Sequence, residues 1–290
     1  MSSGPRRRRG AQDGLQESLL EEDYSSSSGP VSVSRPHQQQ LIVHQPFSVD
    51  AFIRCVVESW LALLRTLSRC LQSLLGGGSG LSLSLVQAER LEELQERLAV
   101  PYDGANPAHQ EQLRELWGLA FPGQPCEALK TPKWKDMGWQ GEDPGTDVRG
   151  AGLFGLDNLL YLGTRHPVLF SQLLHKTQGS RSDWEYPFAV AGLNLTFVLS
   201  ELLGIAGSSP GKLPTTAAGR AFCALLAESD TAFEEVYCAA FALLDRVWLA
   251  RKASYMQFNA VLKEVRAQLE AALQARPRSI QQLQQRLLAS

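Results

Sequence analysis

Residues Trp134 to Leu159 read WKDMGWQGEDPGTDVRGAGLFGLDNL. The first half is rich in Gly, Pro and charge, the second half is strongly apolar, and Arg149 stands at the junction. Asp147 precedes that arginine by two positions, and Gly150 and Gly152 follow it. A cation on a turn, anchored by an apolar helix, is suited to reaching into a partner's active site. Pro144 and Gly145 read as the turn itself. Thr146 or Asp147 reads as an acceptor for backbone N–H groups that would fix it. Gly150 and Gly152 read as positions whose backbone angles or close approaches a side chain would block. Trp134, Trp139, Leu156 and Leu159 read as core anchors.

Outward from this stretch the pattern is helical. Residues 86–98 alternate charge and leucine at helical spacing, and Asn106-Pro107 is an N-cap followed by Pro at the first helical position. That helix should end near Phe121-Pro122. Further helices are predicted near 153–162, 166–176, 184–203, 215–227, 231–249 and 253–274, with Thr231 and Glu234 fitting a capping box. No run sustains a period of two, so the fold class is all-α, a single multi-helix domain. The predicted domain covers 85–275, with its core at about 107–265, and 276–290 reads as a short C-terminal helix or tail.

Ahead of it, residues 1–47 contain Arg6–Arg9, Ser25–Ser28 and Gln38–Gln40, too polar to bury a core, and read as a disordered tail. Residues 48–75 form an amphipathic apolar helix with Arg54, Glu58, Arg65 and Arg69 on one stripe. Those four charges argue against a transmembrane span. Two readings stand: a helix packed into the core, or an interfacial anchor with its arginines toward head groups and Trp60 at the boundary. Residues 76–84 form a Gly/Ser linker. The four N-terminal arginines lead into no apolar segment, so no secretory signal is expected.

Composition excludes several classes. With 28 basic against 30 acidic residues the net charge is -2, and nothing points to nucleic acid. Five scattered cysteines form no zinc spacing and read as buried thiols of a reducing compartment. Gly150–Gly155 matches G-x-G-x-x-G, but it follows a loop rather than a strand and lacks the acidic residue about twenty positions on. Gly207-Ser208-Ser209-Pro210-Gly211 matches G-x-S-x-G. Pro210 has no N–H to give to an oxyanion hole, so it is no nucleophile elbow. Asn194 begins a formal glycosylation sequon inside an apolar helix, and no glycan is expected there. His166 and His175 have no catalytic or metal companions at a telling spacing. No cofactor or metal is expected on this chain.

The stretch resembles the signature of the ELMO domain family, in the branch that activates Arf-type GTPases: W-x3-G-F-Q-x3-P-x-T-D-F-R-G-x-G-x3-L-x2-L. Trp134, Gly138, Gln140, Pro144, Thr146, Asp147, Arg149, Gly150, Gly152, Leu156 and Leu159 match in register. Trp139 and Val148 replace its two phenylalanines. Trp184–Asn194, and the pieces around Tyr237-Cys238, Trp248 and Ser254–Met256, resemble later blocks of plant-type members, so the likeness runs from about 85 to 275. The resemblance implies a GTPase-activating protein for Arf or Arf-like GTPases, with Arg149 as an arginine finger in trans and nucleotide and magnesium on the partner. It also implies a cytoplasmic protein, with 48–75 and Arg6–Arg9 available for peripheral contact with endomembranes. Two alternatives stand beside it. Arg149 could be an internal ion-pair partner of Asp147 or of another carboxylate, and the chain could be a non-catalytic scaffold or effector of the wider family.

Overall fold

Helix α1 (Leu85–Leu98) begins at a capping box: Ser84 Oγ accepts the Gln87 N–H, and the Gln87 side chain returns to the Ser84 N–H. The computed structural model describes residues 82–148, 150–179, 181 and 185–289. The predicted tail with Arg6–Arg9, the helix at 48–75, most of the linker, Arg149 and Trp184 therefore lie outside the described residues. Helix α2 (Pro107–Ala120) starts as its sequence predicts, with Asn106 accepting the Ala108 N–H at 2.9 Å and Pro107 at the first position. A 3-10 turn (Pro132–Met137) and a one-turn helix α3 (Pro144–Val148) follow. Then come α4 (Gly152–Arg165), α5 (Pro167–His175), α6 (Phe188–Leu202) and α7 (Ala217–Phe222). The chain closes with α8 (Ala232–Arg251), α9 (Phe258–Gln274) and α10 (Ile280–Ala289). The fold is all-α, and no strand occurs among the described residues.

Helix α4 is the hub, packing on α1, α2, α3, α5, α6 and α8. Its partner α6 is apolar nearly all round and buries ten of its fifteen residues, as a helix enclosed on most sides must. Each large apolar side chain buried there contributes about 1.5–3 kcal/mol. Where the two helices touch, Asn158 Nδ2 donates to Thr196 Oγ1 at 3.2 Å, while Asn158 Oδ1 is buried with no partner among the described residues. Helix α10 docks on α8 and α9 with Ile280, Leu283 and Leu287 buried, joining the same core. No described helix is long and apolar enough to cross a membrane.

Several local expectations are corrected. Pro144-Gly145 opens helix α3 rather than a simple turn, because Asp143 caps it. Its carboxylate accepts the Gly145 N–H at 3.0 Å, and its carbonyl accepts the Thr146 N–H and hydroxyl. The helix predicted from 184 starts only at Phe188, since Pro187 keeps Tyr186 out of the helical region. The segment 215–227 divides into α7 and a 3-10 turn at Leu225–Ala227. Thr231 makes no capping box: Glu234 is 2% exposed and ion-paired with Arg97 at 2.7 Å instead.

Candidate functional site

Three tryptophans hold the signature loop. Trp134 is fully buried edge-on to Trp117 of α2 (5.0 Å, 81°) and to Trp139 (6.0 Å, 81°). Its indole N–H donates to the Leu129 carbonyl at 3.0 Å. Trp139 is equally buried, but its Nε1 finds no acceptor among the described residues. Leu156, Leu159 and Val148 are buried as well, so the expected core anchors take that role.

Two glycines let the backbone fit between these anchors. Gly138 (φ 86°) ends the 3-10 turn, and a Cβ there would lie 2.4 Å from the Phe188 nitrogen at the start of α6. Its carbonyl accepts the Val190 N–H, tying the loop to α6. Gly152 (φ 66°) starts α4, where a Cβ would meet the Val100 carbonyl at 2.9 Å. Gly150 departs from expectation: its missing side chain would point into open space, so close approach does not require glycine there. The G-x-G-x-x-G match is thus a loop-to-helix junction, completed by Gly155, where α4 passes close to Leu193 of α6.

The loop's two limbs are clasped by Asp147. Its Oδ2 accepts the Gln140 N–H at 2.8 Å, linking residues seven apart across the turn. A charge-assisted bond of this kind is worth more than a neutral one. Asp147 thus takes the backbone-fixing role predicted for it or for Thr146. Thr146 hydrogen-bonds the Asp143 carbonyl and remains exposed. Gln140 is exposed too. Arg149 falls outside the described residues, between the buried Val148 and the exposed Gly150.

The clasped loop forms one wall of an open groove of about 360 Å³. Gln140, Thr146, Asp147 and Gly150 line that wall, and Val190, Asn194 and Phe197 of α6 line the other. Phe197 is 51% exposed although α6 is otherwise a core helix. Gln140 also borders a second groove, reaching past Lys135 and Trp139 to Lys176 and Tyr255. Asn194 and the exposed Glu201, three residues before and four after Phe197, share its face of α6, although Phe197 by residue type reads as core. Asn194 lines the groove and donates to the Val190 carbonyl at 2.8 Å. Among the described residues no group of three or more His, Cys, Asp or Glu could hold a metal ion.

Behind the second groove lies an ionic cluster that spacing could not reveal. Arg181 makes a bidentate pair with Asp245 (2.7 and 2.9 Å) and bonds Glu185 at 3.1 Å, while the Tyr186 hydroxyl donates to Asp245 at 2.7 Å. Burial works against the Arg181 charge, and Asp245 outweighs it, so the guanidinium's pKa is raised. Burial, reinforced by Asp245, pushes the Tyr186 phenol far above its ordinary range. Lys176 lies 4.7 Å over the Tyr186 ring, and burial lowers its ammonium pKa to about 8. Nearer the start of α8, His166 Nε2 meets Glu235 at 3.1 Å, a partner 69 residues away.

A loop bolted to an all-helical core by buried tryptophans, clasped by one carboxylate and open on one face, describes a helical domain with one built loop. Its family is shown by comparison. The ELMO/CED-12 family model matches residues 92–262, and the chain belongs to that family. It is 33% identical over 205 residues to ELMO domain-containing protein C of Dictyostelium discoideum, covering 69% of this chain and 32% of that protein. It is 32% identical over 192 residues to ELMO domain-containing protein 1 of Mus musculus, covering 60% and 56%. Against the Homo sapiens protein of that name it is 30% identical over 199 residues, covering 60% and 57%. The chain therefore spans about a third to just over half the length of these relatives.

Proposed function

We propose that this chain is a GTPase-activating protein for Arf or Arf-like small GTPases, supplying Arg149 in trans to the partner's nucleotide. One observation carries the reading. The residues on both sides of Arg149 belong to a loop held by buried Trp134, Trp139 and Val148 and by the Asp147 clasp, and that loop borders an open groove with exposed Phe197 opposite. Such a platform limits the freedom lost when a partner docks.

The chemistry suits an arginine. Phosphoryl transfer spreads negative charge over the phosphate oxygens, and a permanently charged, planar donor fork stabilises it. A finger of this kind accelerates hydrolysis by roughly 10³ to 10⁵. Metal, nucleotide and the residue that orients the attacking water belong to the partner, and the arginine helps exclude water from the site. The N-terminal segment 48–75 with Arg6–Arg9 is proposed as a peripheral membrane contact that brings the domain to its GTPase.

GTP hydrolysis by a panel of purified Arf and Arf-like proteins, with and without the full chain, tests the proposal. Stimulation of at least one member at catalytic amounts of the chain is expected. Binding to the GTP-loaded form without acceleration would make the chain an effector, and absence of both binding and acceleration across the panel would make it a scaffold.

A further inference from the structure

On the face of α8 away from the signature loop, Cys238, Ala239 and Ala242 are small where α5 and α10 pass alongside. The neighbours do not close over them, and a hollow of about 240 Å³ remains, walled also by Leu169, Leu243 and Leu287. An apolar cavity of about 150 Å³ admits a benzene-sized guest, so this one has room for an aliphatic chain. The hollow is elongated. From Cys238 to Arg246 the helix rises about 12 Å, so a guest would lie along α8 rather than stand on it.

The two ends differ in charge. At one end His166 is already partnered by Glu235, which also accepts the Tyr161 hydroxyl at 2.7 Å. At the other end stands Arg246, half-buried and with no carboxylate partner among the described residues. Its neighbour Asp245 is committed to Arg181 and Tyr186, and Glu235 lies about 16 Å away along the helix. Arg246 donates only to the Leu287 carbonyl near the end of α10, which leaves most of its five N–H donors free. A half-buried guanidinium without a counter-ion at the mouth of an apolar hollow is complementary to an amphipathic anion.

We propose that this hollow binds a single-chain alkyl carboxylate, the carboxylate on Arg246 and the chain along α8 between α5 and α10. The site is separate from the signature loop, so it neither requires nor supports the GTPase reading.

Calorimetric titration of the full chain with decanoate, decanol and decyltrimethylammonium tests it. Saturable binding of decanoate is expected, at least about tenfold tighter than either analogue, as one charged hydrogen-bonding pair implies. Arg246→Gln should remove that preference and leave decanol binding unchanged, while Ala242→Leu should abolish binding of all three. Thermal melts of both variants show whether they are folded. If either is not, the comparison of the three ligands on the unaltered chain still decides. Equal binding of decanol and decanoate, no saturable decanoate binding, or unchanged decanoate affinity in folded Arg246→Gln would each overturn the proposal.

Discussion

The loop before α4 and the loop before α6 both carry an arginine ahead of a buried helix, and the described contacts that hold them differ in kind. The second is fixed through its arginine: Arg181 is 10% exposed at the side chain, and its charge is spent inside the protein on Asp245 and Glu185. Among the described residues, the first is fixed by apolar anchors, a glycine and a carboxylate. Trp134, Trp139 and Val148 anchor it, Gly138 docks it on α6, and Asp147 gives an oxygen to the Gln140 N–H. The fold needs the cation at 181. The described contacts that secure the first loop come from other residues, and Arg149 itself lies outside the described residues.

The sharpest way to break this contrast is Asp245→Ala, which leaves the buried Arg181 charge with Glu185 as its remaining carboxylate partner. Loss of one partner of such a pair costs about 3–5 kcal/mol, read as a drop in the urea midpoint. A loss below 1 kcal/mol would mean that Arg181 does not hold its loop. Next in size is Gly138→Ala. The positive φ and the 2.4 Å approach to Phe188 together should cost about 2 kcal/mol or more and loosen the signature loop from α6. Hydrogen exchange at Val190, whose N–H bonds the Gly138 carbonyl, should then rise.

The ionic cluster also leaves a mark in pH dependence. Burial lowers the Lys176 pKa to about 8 from an ordinary 10.5, so the folded chain releases this proton before the unfolded chain does. The penalty is therefore present in full below about pH 8 and fades as pH rises toward 10.5. Lys176→Met should be stabilising relative to wild type at pH 7, with the difference shrinking across that window in denaturant titrations. A difference independent of pH would remove Lys176 from the cluster's balance. The smallest effect is expected at Trp139→Phe. The indole N–H is buried without an acceptor, so its removal offsets the lost contact area and stability should change by less than about 1 kcal/mol. Trp134→Phe, which gives up the bond to Leu129, should cost more.

What the sequence revealed, and what it hid, follows from the range of each interaction. The Asn106-Pro107 helix start and the apolar anchors of the signature loop were legible, because capping and periodicity act within a turn or two. The Thr231-Glu234 capping box had the right spelling and failed, since Arg97, 137 residues earlier, claims Glu234. Helix α3 was hidden because Pro-Gly-Thr-Asp is as good a turn as a first helical turn, and Asp143 decides between them. Pro187 could have marked the start of α6 by the rule for residues before proline. The Arg181–Asp245 pair belongs to tertiary packing alone and leaves no local pattern.

The central claim is that the charge at 149 serves a partner's nucleotide and not this chain's own fold. Single-turnover GTP hydrolysis by a responsive Arf-type GTPase, measured with wild type, Arg149→Ala and Arg149→Lys beside their thermal melts, tests it most directly. Loss of stimulation by roughly 10³-fold or more is expected for alanine, with lysine also failing because a point charge cannot replace the planar fork, and with melting near wild type in both. Variants that melt as wild type and stimulate as well as it does would contradict the claim, and variants that unfold would return Arg149 to the loop's internal ion pairing.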